Sequence, residues 1–280
     1  MTRVKKVLRD KVVVVTGGAR GIGRATGLAF LRAGAKVALG DVDSAHVQRT
    51  AAELAALTGG QVCGLALDVT SRLSFAAFLA EAESHWGPAD VVINNAGIMP
   101  TGLFVDEDDA MTDRMLDINL RGVIFGSKLA VDRFAERGGH IVNIASLAAV
   151  SAYPGVATYC ATKHAVLGFT EALQRELPEI GVTLVLPGVV RTELSAGNAL
   201  PGWARPLAEV DAEDVADAIV AAVRDGRRKV AVPKALGVVL TVLPGRARLR
   251  LERMAHFDTA FTDVDPQARE RYHLRIAARG

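Results

Sequence analysis

Apolar residues in this chain fall into two alternating patterns. Short runs dominated by consecutive apolar positions stand at residues 12–15, 36–39, 61–67, 90–93, 139–145, 182–186 and 229–232. A run that is apolar at successive positions is buried on both faces, the signature of a strand inside a parallel sheet. Between these runs lie stretches with helical spacing, among them the Ala-rich segment after Gly23, closed by Gly34, and the segments 43–57, 71–86 and 211–224. Strand and helix alternating over short connections predict an α/β fold, a doubly wound parallel sheet of seven strands. An acidic helix is predicted from Asp106, carrying Asp117, Ile118 and Asn119, and then a long helix to about Arg137. Residues 193–208, interrupted by Pro and Gly, read as a lid that turns Leu194, Leu200, Trp203 and Leu207 toward a substrate.

The chemistry-bearing residues collect at the carboxyl ends of these strands, where open α/β sheets bind ligands. The first strand runs into Thr16-Gly17-Gly18-Ala19-Arg20-Gly21-Ile22-Gly23. Glycines at a strand-to-helix turn let the backbone approach a pyrophosphate and set that anion on the helix N-terminus. Asp41 closes the second strand, and a carboxylate there accepts from the adenosine ribose hydroxyls and repels a 2′-phosphate, favouring NAD over NADP. Arg20 argues the other way, because a guanidinium can hold phosphate, and Asp41 also fits a helix-terminal acid. Asp68-Val69 end the third strand, Asn94-Asn95-Ala96-Gly97 the fourth, Ser146 the fifth and Pro187-Gly188-Val189-Val190-Arg191-Thr192 the sixth.

Tyr159 and Lys163 stand four residues apart in a run that reads as helix, so both side chains leave one face with Cβ atoms about 5–6 Å apart. A phenol of ordinary pKa near 10 is a poor acid–base catalyst at neutral pH. An ammonium ~4 Å away contributes about 4 kcal/mol, enough to bring that phenol well down toward neutrality. As a bare pair the two equally fit a solvated surface. Ser146 can fold back beside them across a loop. Tyr153, a competing phenol, has Ala157 four residues on and is not assigned the role.

In this order, the Thr-Gly-x-x-x-Gly-x-Gly turn, Asp68, Asn-Asn-Ala-Gly, Asn119, Ser146, Tyr-x-x-x-Lys and Pro187-Gly188 resemble the short-chain dehydrogenase/reductase family over residues 8–233. The resemblance implies a Rossmann fold holding NAD, with hydride transfer between nicotinamide C4 and a carbonyl or alcohol carbon. It implies Tyr159 as general acid or base, Ser146 on the reacting oxygen, Lys163 lowering the tyrosine and holding the nicotinamide ribose, and Asn119 supporting a proton-relay water. Gly17, Arg20, Gly21, Ile22, Gly23, Asp41, Asn95, Ala96 and Gly97 are implied cofactor contacts, with Asp68 and Val69 flanking the adenine. Pro187, Gly188, Val190 and Thr192 join them, Thr192 on the carboxamide. A homo-oligomer, dimer or tetramer, is implied as well.

Composition bounds the rest. Half of the 280 residues are apolar, ample for one large domain. Cys63 and Cys160 lie far apart and outside metal-ligand spacing, so neither a disulfide framework nor a metal site is predicted. The basic start from Thr2 to Lys11 leads into too short an apolar run for a signal peptide, and no run reaches about 18 residues, so a cytoplasmic protein is expected. Arg outnumbers Lys 25 to 8, a bias that suggests a GC-rich bacterial genome. Residues 1–225 carry 21 basic against 26 acidic residues, a net of −5, whereas 226–280 carry 12 against 5, a net of +7.

That basic tail sets off an extension at 235–280 from a dehydrogenase domain at 1–234. Residues 235–243 are apolar; after Pro244-Gly245, Arg246, Arg248, Arg250 and Arg253 interleave with Leu249, Leu251 and Met254. Such a helix fits packing on the domain, on a neighbouring subunit or over the substrate mouth, and it equally fits peripheral contact of 235–257 with an anionic membrane. Nucleic acid is not expected, because no recognition pattern accompanies the arginines. The expected activity is NAD-dependent oxidation of an apolar, steroid- or lipid-like secondary alcohol, or reduction of its ketone. The alternatives are an NADPH-dependent ketone or 3-oxoacyl reductase and a non-enzymatic nucleotide sensor or scaffold, which would need neither the phenol nor the serine.

Overall fold

The structure, a computed structural model, describes residues 7–197, 200–203, 205–243, 245–257 and 259–277. Of the sequence features above, Thr2 to Lys6, Pro244 and the side chains of Arg248 and Leu251 lie outside the described residues.

The amino-terminal half alternates β1 (Val12–Thr16), α1 (Gly21–Arg32), β2 (Lys36–Asp41), α2 (Ser44–Thr58), β3 (Val62–Ala66), α3 (Arg72–Trp86) and β4 (Val91–Asn94). The next part holds α4 (Asp109–Leu116), α5 (Gly122–Phe134), β5 (His140–Ile144), α6 (Ala157–Glu176) and β6 (Gly181–Pro187). Then come β7 (Val189–Val190), α7 (Arg205–Ala208), β8 (Glu209–Val210), α8 (Ala212–Asp225) and β9 (Lys229–Val232). Three helices close the chain: α9 (Lys234–Val242), α10 (Gly245–Met254) and α11 (Pro266–Ala277).

Seven strands form one parallel sheet in the order β3-β2-β1-β4-β5-β6-β9. The consecutive valines of β1 explain its central place. Val13 and Val15 pack under α1, α2 and α8, while Val12 and Val14 face the opposite layer of α3 and α5. All five β1 residues are buried. Each valine so placed contributes about 1.5–3 kcal/mol, so the strand is held from both sides. The chain order reverses between β1 and β4, and the crevice this opens at the strands' carboxyl ends is where such sheets take ligands.

Two elements differ from the sequence reading. The turn at Phe104–Asp106 is 3-10, and the acidic helix starts only at Asp109, capped by the Asp108 carboxylate accepting from Ala110 N–H. Asp117–Arg121 forms a π-turn between α4 and α5 with helical backbone on both sides, so the expected pair of helices is one helix with a bulge. Such a bulge carries one extra residue, which re-aims the side chains around Asn119. The β7–β8 pair was not predicted, because two-residue strands show no period.

Candidate active site

The loop after β1 is clamped to the loop after β4. Thr16 Oγ1 accepts the N–H groups of Asn95 at 2.9 Å and Ala96 at 3.0 Å, and Asn95 Nδ2 donates to the carbonyls of Thr16 at 2.8 Å and Gly17 at 3.2 Å. Gly17 adopts φ +65, and a Cβ there would meet Ala96 Cα at 2.9 Å, so only glycine fits. Arg20, the residue before α1, is extended and makes no side-chain capping bond, which leaves the first-turn N–H groups of Gly21 and Ile22 open to the cleft. Gly23 does not line the cleft, contrary to expectation: it is buried behind the turn, where a Cβ would collide with the Gly17 carbonyl oxygen.

At the far end, Asp41 accepts the Ala19 N–H at 3.2 Å through one oxygen and the Asp43 N–H at 3.1 Å through the other. It is not the helix cap; that task falls to Asp43, whose carboxylate accepts from His46 N–H. Arg20 donates to Asp43 at 3.2 Å and to Glu193 at 3.3 Å, so its guanidinium is balanced by two carboxylates. Burial and that guanidinium hold the His46 imidazole below its ordinary pKa. Asp68 and Val69 stand on the same wall, Asp68 accepting from Thr70 N–H at 2.9 Å.

Ser146 follows β5 and caps the 3-10 turn Leu147–Ala149, accepting the Ala148 N–H at 3.1 Å. α6 brings Tyr159 and Lys163 to the same cleft one turn apart. Lys163 Nζ lies 5.5 Å from the Tyr159 ring centroid and donates to the Ile144 carbonyl at 3.1 Å. The expected lowering of the phenol is reversed in the protein itself. Burial pushes Tyr159 above its ordinary value, and a side-chain hydrogen bond with Ser146 opposes the rise only in part. The same burial draws Lys163 down to about 8. Burial disfavours the charged form of each side chain, raising the phenol and lowering the ammonium.

Asn119 is fully buried and does not line the cleft. Its amide is committed to the backbone of Ile98, accepting the N–H at 2.8 Å and donating to the carbonyl at 2.8 Å. Asn119 therefore pins the bulged helix to the loop after β4, which carries Asn95, Ala96 and Gly97. Those three, together with Pro187, Gly188, Val190 and Thr192, line the cleft.

The cleft holds about 1160 Å³. Its donor set fits a nicotinamide dinucleotide: an uncapped helix start for the pyrophosphate, a glycine turn with no Cβ in the way, the Asp41 carboxylate for ribose hydroxyls and the Lys163 donor beside Tyr159.

The substrate side is built differently from expectation. Trp203 and Leu207 point outward, 55% and 62% exposed, and Leu200 is buried away from the cleft; of the four lid residues only Leu194 lines it. The chain's own end replaces them. Phe257 and Phe261 stack on Tyr153 at 5.3 and 5.7 Å between ring centroids, and Tyr272 and Ile276 of α11 complete the wall. Arg269, 1% exposed, fastens α11 by donating to the carbonyls of Met99 at 2.7 Å and Leu194 at 2.6 Å and to Thr101 Oγ1 at 3.2 Å. The sequence signal for this wall is faint: Arg269, Tyr272 and Ile276 repeat at helical spacing, but the reading of the extension, which allowed packing over the substrate mouth, singled out none of them.

A model of the family described as short chain dehydrogenase matches residues 11–200. Probable oxidoreductase EphD of Mycobacterium tuberculosis (strain ATCC 25618 / H37Rv) is 39% identical over 235 residues, 77% of this chain and 40% of that protein, so this chain spans less than half of that relative's length. The 2-(S)-hydroxypropyl-CoM dehydrogenase 3 of Xanthobacter autotrophicus is 37% identical over 230 residues, covering 76% of this chain and 89% of that protein. Among solved structures, a short chain dehydrogenase/reductase from Burkholderia phymatum in complex with NAD superposes with a TM-score of 0.77 at 26% identity, over 88% of this chain and 96% of that one. An alcohol dehydrogenase from Thermococcus sibiricus complexed with 5-hydroxy-NADP gives 0.72 at 26% identity, over 80% and 96%. The family match runs from the glycine turn past Thr192 and so takes in each of the predicted site residues; with the seven-stranded sheet and the cleft at its switch point, it establishes that the chain belongs to the short-chain dehydrogenase family of oxidoreductases.

Proposed function

We propose that this oxidoreductase uses NAD(H) to interconvert an apolar, steroid- or lipid-like secondary alcohol and its ketone, with Tyr159 as the acid and base. The observation that carries the reading is the meeting of Tyr159, Ser146 and Lys163 in one cleft between the glycine turn and an aromatic wall. Bound dinucleotide supplies the hydride, two electrons and a proton, or takes it up. The chain's own residues handle the second proton. Tyr159 Oη gives it to the carbonyl oxygen during reduction and takes it from the hydroxyl during oxidation. Ser146 would donate a hydrogen bond to that oxygen, and Lys163 would hold the nicotinamide ribose. Asn119 keeps the loop carrying Gly97 in register behind them.

Preference for NAD rests on Asp41 and on the state of Arg20. A guanidinium already balanced by Asp43 and Glu193 has little charge to spare for a 2′-phosphate, while the Asp41 carboxylate repels one. The aromatic and aliphatic wall supports an apolar substrate. Steady-state rates with NADH and NADPH across steroid, acyl and aryl ketones test the proposal. NADH preferred with an apolar ketone is the expected outcome; NADPH preferred at saturating ketone would replace it with the NADPH-dependent ketone or 3-oxoacyl reductase.

A homo-oligomer belongs to the same proposal. Val238 and Val242 of α9 and Leu249 and Met254 of α10 stay exposed, apolar side chains that a second copy of the chain would cover. Among the described residues no helix is long and apolar enough to cross a membrane. Sedimentation velocity is expected to show a dimer or tetramer; a monomer that co-sediments with anionic liposomes would instead assign this face to a membrane surface.

A further inference from the structure

The cleft contains a second buried phenol that the proton chemistry does not use. Tyr272, from α11, is 4% exposed and lines the cleft together with Tyr159. Its oxygen accepts the Met99 N–H at 2.7 Å. Two guanidinium carbons lie over its ring, Arg269 at 4.9 Å and Arg275 at 5.3 Å from the centroid. Arg269 is in turn tied to Met99, Leu194 and Thr101, so both the ring and its oxygen are fixed in place. The phenol belongs to the same packed cluster of side chains as Tyr159.

A tyrosine hydroxyl accepts through two lone pairs and donates one proton. The Met99 N–H occupies a lone pair, which leaves the proton. Among the described residues, no acceptor is recorded for the Tyr272 proton. Buried donors are rarely left unpaired, so this proton is offered to whatever fills the cleft. Met99, Phe257, Phe261 and Ile276 give the cleft an apolar surface in the cluster that holds the phenol. One polar contact in such a wall discriminates strongly, because a ligand lacking the matching group leaves the donor stranded. Both nearby guanidiniums are committed, Arg269 to three oxygens and Arg275 to Glu193, so the contact on offer is that of a neutral donor.

We infer that Tyr272 is a specificity-determining residue: its hydroxyl donates to a second oxygen of the substrate, so the preferred substrate is an apolar ketone, or its alcohol, with a further carbonyl, ester or hydroxyl oxygen close to the reacting carbon. The inference rests on the reading of Tyr159 as the group at the reacting oxygen. A purely structural Tyr272, needed only to dock α11, would affect all substrates alike.

The test compares phenylpropanedione, a vicinal diketone, with propiophenone, which lacks the second oxygen. Binding to the full chain saturated with its oxidised cofactor is measured by titration calorimetry; no ketone is reduced in that complex, so the readout is independent of the Tyr159 chemistry. Wild type is expected to bind the diketone about tenfold more tightly, the worth of one buried hydrogen bond. Tyr272→Phe is expected to bring the ratio to within about twofold while propiophenone binding stays within about threefold of wild type. Equal affinities on wild type, including no binding of either ketone, overturn the inference without any variant. A preference that survives in Tyr272→Phe overturns it too. Failure of the Tyr159 reading would appear separately, as turnover that persists in Tyr159→Phe.

Discussion

Lys163 Nζ stands over the Tyr159 ring, 5.5 Å from its centroid, and both side chains are buried. Burial raises the phenol, so at neutral pH Tyr159 carries its proton and is ready as an acid. Ketone reduction is therefore expected to hold its kcat/KM across about pH 6–8, whereas alcohol oxidation, which needs the proton removed, should climb across about pH 7–9. Paired pH profiles in the two directions check this. Reduction that accelerates with pH would contradict it.

The same burial has a stability consequence at Lys163. Its folded pKa is drawn down to about 8 while the unfolded chain keeps the ordinary value, so stability present above the ordinary value is lost as pH falls through about 8. At pH 7 the buried ammonium costs up to ~3 kcal/mol. Lys163→Met is expected to raise the melting temperature at pH 7, by an amount reduced by loss of the Ile144 hydrogen bond, while lowering turnover about a hundredfold. A melting temperature below wild type would show that the hydrogen bond outweighs the desolvation.

Asp41 and Arg20 give opposite cofactor cues in the sequence, and their surroundings separate them. Asp41→Asn keeps an acceptor for Ala19 or Asp43 but removes the charge. The ratio of kcat/KM for NADH over NADPH is expected to fall at least about tenfold. An unchanged ratio would mean that Asp41 does not face the ribose.

The strand-end residues were legible in the sequence because each belongs to a short local pattern: glycines at a turn, Asp41 and Ser146 at strand ends, Tyr159 and Lys163 one helical turn apart. The direction of the Tyr159 shift was not, since it depends on how much water the packed chain excludes. The substrate wall was hidden for a related reason. Tyr272 meets Met99 across 173 residues and Arg269 meets the same residue across 170, and no local period encodes such contacts. Trp203 misled because an aromatic residue in an irregular segment reads as lid whether it faces in or out. Asn119 was found by its motif, yet the π-turn that buries its amide on Ile98 leaves no trace in the apolar spacing.

Arg269 tests the role of the chain's end. Arg269→Ala strands the buried Met99 carbonyl together with the half-buried Leu194 carbonyl and Thr101 hydroxyl, a cost of about 3 kcal/mol, and frees α11 from the loop after β4. Thermal melts are expected to show the loss, and KM for the ketone should rise while NADH affinity changes little. Arg269→Lys should recover only part, because an ammonium cannot reproduce the planar fork. Wild-type KM in Arg269→Ala would separate α11 from the substrate.

Transfer of a proton by Tyr159 is the centre of the account, and Tyr159→Phe removes that proton while keeping the ring packed against its neighbours. Turnover and NADH affinity of the purified variant, measured on the same sample, give the most direct test. The expected result is turnover lowered by at least about a thousandfold with NADH affinity within about threefold of wild type; turnover within about tenfold of wild type would contradict the account.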